Sequence, residues 1–251
     1  MVKIALVLAV AIAIGAVAAA AVLAGRGAGG ALVQLARATS TALAWGAGIL
    51  IAVPASLQAL REDGKSGVRA LLIARGASRG VYARARVGGL AIVLAAVVGG
   101  GTLVAGGAAV LLASRAGVAR GALEGLVASL VYAAAFALVL APMSLAAFGA
   151  RPPARGYARF LAILVLPLIF EPWLSGFVPP GWGELLSIPS ALDALRASLP
   201  PDGFDGARFA RAALVLAAFA VLCFALVLGE IAALDARGGG NGTDGDDEVR
   251  A

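Results

Sequence analysis

The sequence predicts an all-α polytopic membrane protein, a bundle of about six transmembrane helices. Three observations predict it. Of the 251 residues, 61% are hydrophobic and 14% charged, against about half and about a quarter in an ordinary soluble domain. Six apolar runs approach or exceed the ~20 residues a helix needs to cross the hydrocarbon core. The basic residues fall in short connections between those runs. That placement makes the net charge of +6 a matter of membrane topology rather than of nucleic-acid binding. The partner is a lipid bilayer, and no nucleic acid is expected. The 34 glycines suit helices that pack backbone against backbone.

The first run, Ile4–Ala24, follows Lys3 and is rich in small residues, as a cleaved signal peptide is. It is longer than the ~7–15 residues of a signal's apolar region, so it reads as a retained helix. The stretch "GRGAGGALVQLARATS" (25–40) reads as an outside loop leading to the second run, Thr41–Leu60. The third and fourth runs, Val87–Ala113 and Ala122–Phe148, are long enough to cross with tilt. Between them lies "SRAGVARG" (114–121). "GARPPARGYAR" (149–159) reads as a tight inside turn, because Pro152 and Pro153 forbid helix continuation.

Pro167, Glu171 and Pro172 interrupt the fifth run, Phe160–Val178. In the long connection that follows, "LLSIPSALDALRASL" is expected to form a short helix with Leu192 and Leu195 on one side. The sixth run is Phe209–Leu234. Residues 1–234 thus form one transmembrane domain, and the glycine-rich, acidic residues 235–251 read as a disordered cytoplasmic tail.

Orientation follows from the loops. With the N-terminus cytoplasmic, thirteen Lys and Arg residues fall inside and seven outside, so both termini are expected to be cytoplasmic. The dominant determinant is "REDGKSGVRALLIARGASRGVYARAR" (61–86), which carries Arg61, Lys65, Arg69, Arg75, Arg79, Arg84 and Arg86. Gly64 and Gly67 permit a sharp break there. Val68, Leu71 and Leu72 then share one helical face, ringed by Lys65, Arg69, Arg75 and Arg79, and Gly76 stops the helix. Such an element either rests on anionic headgroups or docks into a groove on a peripheral protein.

Several chemistries are excluded. Without histidine there is no Ser-His or Cys-His catalytic pair and no histidine-bound metal. Cys223, the single cysteine, has no intrachain partner and reads as a small buried hydrophobe. No GxxxxGK[ST] phosphate loop is present. Glu171 stands about eleven residues into the fifth run, where a lone carboxylate usually faces protein or water. The simpler reading is that Pro172 ends the helix and leaves Glu171 solvated. Glu171, Pro172 and Trp173 are candidates for a transport pathway or a re-entrant region. Glu124 and Glu230 read as interfacial.

The 61–86 segment resembles the coupling-helix segment of the permease subunits of type 2 ABC exporters. Glu62, Asp63 and Gly67 match its acidic-glycine part, Leu71 and Leu72 its leucine turn, and Ser78 and Arg79 the element before the third span. Gly76 stands where the family commonly has proline, Lys65-Ser66 looks like an insertion, and the usual amphipathic helix before the first span is missing. The resemblance implies a coupling helix between spans two and three and re-entrant helices between five and six. It implies that Glu62, Asp63, Gly67, Val68, Leu71, Leu72, Arg75, Ser78 and Arg79 meet a separate ATPase subunit.

That subunit would carry ATP and Mg, so this chain would be no enzyme and bind no cofactor itself. A homodimer or heterodimer of permeases in a prokaryotic plasma (inner) membrane, exporting a substrate, is implied with it. An intramembrane protease or lipid transferase is disfavoured by the missing histidine and by the lack of converging carboxylates. A non-transporting regulatory or scaffolding polytopic membrane protein remains the alternative.

Overall fold

The computed structural model describes residues 2–26, 29–115, 117–200 and 203–239. Eleven α-helices follow one another, with no strand among the described residues: α1 (Val2–Gly25), α2 (Gly29–Ala42), α3 (Ile49–Ser56), α4 (Ala59–Lys65), α5 (Val68–Ala74), α6 (Arg79–Leu94), α7 (Gly100–Arg115), α8 (Ala119–Phe148), α9 (Pro153–Leu174), α10 (Ile188–Ala197) and α11 (Gly206–Gly239). The π-helical turns Leu43–Gly48 and Ala95–Gly99 join α2 to α3 and α6 to α7. Six stretches are long and apolar enough to cross a bilayer: Lys3–Gly25, Gly30–Lys65, Arg79–Arg115, Ala119–Phe148, Pro153–Leu174 and Gly206–Ala236. Six apolar helices of that length make the molecule a multi-pass membrane protein.

Several boundaries differ from the sequence reading; α6, for one, begins at Arg79, inside the stretch read as the 61–86 connection. The stretch expected to be an outside loop at 25–40 is mostly helix α2. Its polar residues fold back on the helix: Thr39 and Thr41 donate to the carbonyls of Leu35 and Arg37 at 2.8 and 3.0 Å, and Ser40 to Arg37 at 2.9 Å. Hydroxyls satisfied within their own helix add little to the cost of a membrane environment. Helix α8 stops before Pro152 and Pro153 as expected, but the turn is shorter than 149–159, because Pro153 begins α9 at a first helical position that needs no amide hydrogen. Asp235–Gly239, assigned to the tail, continue α11. Residues 240–251 lie outside the described residues.

Helix α8 is the axis of the bundle, packing against α2, α6, α7, α9, α10 and α11. Of the fourth span 67% is buried inside the molecule, against 17% of the first and 6% of the fifth. Lipid cannot drive apolar helices together, so close approach at small residues does. At Gly48 an added Cβ would lie 2.7 Å from the Phe136 ring, and at Gly101 2.7 Å from Leu43. Gly88, Gly89, Gly99, Gly100 and Gly107, in the third apolar run, meet nothing within 4 Å, so only part of its glycine serves packing within this chain. Cys223 is buried in the main core.

Candidate functional site: the α4–α5 turn and its anchors

The second span ends abruptly at Leu57 and Gln58. Gln58 adopts a left-handed conformation, φ 56°, rare outside glycine. The break turns the first amides of α4 onto the end of α8: Gln58 N–H donates to Phe148 O, and Leu60 N–H to Gly149 O, both at 3.0 Å. Orphan donors at one helix start thereby satisfy orphan acceptors at another helix end. On α4, Leu60 and Asp63 lie three residues apart and are both buried. Asp63 accepts from the Tyr82 hydroxyl and pairs with Arg86, whose Nε lies 2.7 Å away.

Gly67 and Gly76 bracket α5, each with positive φ, +72° and +79°. Ala77 N–H closes α5 on Leu72 O at 3.0 Å, a glycine-based helix stop. Ser78 then caps α6, accepting from Val81 N–H at 3.3 Å. Gly67 and Ser78, two residues of the family-like pattern, thus have local reasons to be what they are.

The orientation of α5 differs from the sequence reading. Val68, Leu71 and Leu72 were expected on one face with Arg69 among the cations around it. Leu72 packs inward and Arg69 is buried, whereas Val68 and Leu71 are 41% and 63% exposed, beside exposed Arg75. Arg69 pairs with Asp235 of α11 and donates to Ile231 O at 3.1 Å. Arg79 Nε lies 2.8 Å from the same carboxylate. Burial pushes the Arg69 guanidinium below its ordinary pKa, though an arginine stays charged. Of the residues implied to meet a partner, Asp63, Leu72 and Arg79 are engaged within this chain. Glu62, Val68, Leu71 and Arg75 are left outward.

A third carboxylate completes this end. Glu230 of α11 accepts from Arg151 Nε at 3.0 Å and from Arg159 Nη1 at 2.8 Å, and Arg159 also donates to Ala146 O. Glu230, read from the sequence as simply interfacial, is instead a junction of α8, α9 and α11. Sequence spacing could not single it or Asp235 out, because every partner lies dozens of residues away.

At the opposite end, α10 forms as expected, with Leu192 and Leu195 buried. Arg196 lies 4.5 Å above the Tyr132 ring and donates to Arg37 O at 3.0 Å and Thr41 Oγ1 at 2.9 Å. Trp45 Nε1–H donates to Tyr132 Oη at 2.8 Å. Pro172 does not end the fifth span, as α9 runs through it to Leu174. Glu171, expected to be solvated, is half-buried and accepts from Ser187 and Ser190 at 2.8 and 2.7 Å, tying α9 to the start of α10. Trp173 is 78% exposed. No group of three His, Cys, Asp or Glu able to hold a metal occurs among the described residues.

No protein-family model, no curated protein and no solved structure matches the chain.

Proposed function

We propose that the chain is the membrane-spanning permease subunit of an ATP-binding-cassette transporter of the exporter type. In this reading both termini are cytoplasmic, the membrane is the plasma membrane of a prokaryote, and a separate subunit hydrolyses ATP. One observation carries it: two apolar side chains, Val68 and Leu71, stand exposed beside Arg75 on a short helix whose other face is fastened to the spans. At the charged end of a bundle, an exposed apolar pair next to a cation suits a groove on a soluble protein better than water. Because α5 is anchored rather than loose, force applied to Leu71 reaches the spans. The weakly buried first and fifth spans offer apolar faces for a second permease.

The experiment is co-purification of the chain, in lipid nanodiscs, with ABC ATPase subunits from the same genome. Leu71→Asp with Arg75→Glu is expected to lower their binding at least tenfold while leaving the permease folded. Binding that survives both changes, or labelling of a cysteine at position 75 from the outer side only, would overturn the reading.

A further inference from the structure

The carboxylate of Asp235 lies one turn from the end of α11, between arginines supplied by two other elements. Arg69, on α5, has a side chain 8% exposed; Asp235 is 21% exposed, and Arg79, at the start of α6, is 59% exposed. Beside Arg69 and Arg79 lies a cavity of about 10 Å³, lined also by Leu72, Ala77, Ser78, Tyr82 and Ile231. That is about the least volume that admits one water molecule. Helix α5 is thus tied to the last span through the Arg69 side chain, which meets both Asp235 and the carbonyl of Ile231.

A helix of seven residues has almost no stability of its own, so whatever holds it sets its direction. Both its flanks are left-handed glycines, Gly67 and Gly76, which add no stiffness against rotation. Among its described side chains, the inward face offers one charged contact, Arg69 to Asp235, and one apolar contact, Leu72. Without the carboxylate, a buried guanidinium would have no counter-charge and would turn toward water. Turning α5 about its axis carries Leu71 and Val68 away from their outward positions.

We infer that Asp235 is a positioning residue: through Arg69 and Arg79 it fixes which face α5 presents and joins displacement of α5 to the last span. The identity of what α5 meets rests on the function proposed above; the attachment of α5 to α11 does not.

Two measurements on the full chain in lipid nanodiscs test this. In the first, without any partner, amide hydrogen exchange is compared between wild type, Asp235→Asn and Asp235→Glu. Asp235→Asn is expected to speed exchange across 68–74 about tenfold or more, with α8 unchanged, and Asp235→Glu to restore it. No acceleration in Asp235→Asn overturns the inference. If α8 loosens as well, Arg69→Met decides, because it removes the α5 side of the pair and leaves Asp235 with Arg79: faster exchange confined to 68–74 supports the inference, and none overturns it.

In the second measurement, the ATPase subunit's Kd is expected to weaken about tenfold with Asp235→Asn and to recover with Asp235→Glu. Equal binding to wild type and Asp235→Asn overturns the inference. An α5 that loosens in the first measurement, with no ATPase bound even by wild type, supports the attachment and removes the transporter reading instead.

Discussion

The two ends of the bundle hold their arginines differently, although an ion pair of Arg208 with Glu184 also lies near α10. At the α5 end, three carboxylates, Asp63, Glu230 and Asp235, hold five guanidiniums, those of Arg69, Arg79, Arg86, Arg151 and Arg159. At the α10 end, Arg196 is held mainly by a backbone carbonyl, a hydroxyl and the Tyr132 ring, with Asp193, 60% exposed, as its one carboxylate. Charge pairs part-way into solvent can be broken and re-formed by water, salt or a partner's charges. Contacts to neutral groups respond little to ionic strength. The α5 end is thus expected to answer to ionic strength more than the contacts of Arg196 do.

The comparison can be broken by mutation. The largest effect is expected for Glu230→Ala, which strands Arg151 and Arg159. About 3 kcal/mol should be lost, at the low end for a broken buried pair because Arg151 is 40% exposed. A thermal midpoint in detergent that did not move would show the junction of α8, α9 and α11 to be decorative. Next comes Arg196→Met, which frees α10 from α2 at a cost of about 2 kcal/mol for charged hydrogen bonds. Its signature is faster amide exchange in 188–197 with the α5 end unchanged.

Salt sharpens the contrast. Raising ionic strength to about 1 M shortens the screening length to ~3 Å. It should loosen 68–74 more than 188–197 in hydrogen exchange, since Arg79 is 59% exposed whereas Arg196 is 14% exposed. Equal responses at the two ends would erase the distinction. The smallest effect belongs to Gln58→Gly: relief of the left-handed backbone should stabilise by no more than about 1 kcal/mol. A lower midpoint would mean that the Gln58 side chain, not its backbone, matters.

Much of the fold was legible because apolar runs of sufficient length have one stable environment. The helix α10 was legible from the spacing of Leu192 and Leu195. The facing of α5 was not, for a geometric reason. Residues 68, 72 and 75 share one helical face and 69, 72 and 76 another, so Leu72 belongs to both and the pattern cannot choose. Helix α2 was hidden because Arg37, Thr39 and Ser40 look like loop, although the hydroxyls of Thr39 and Ser40 are spent on the helix itself.

By itself the sequence determined that the chain suits lipid and carries six helices long enough to cross it, since the cost of placing each residue in lipid adds up along the chain whatever its neighbours are. Only the tertiary structure decided which charges neutralise which. A carboxylate and a guanidinium attract through space, and Arg69 reaches Asp235 because the bundle returns α11 to the side where the second span ends. Nothing local to either residue encodes that meeting.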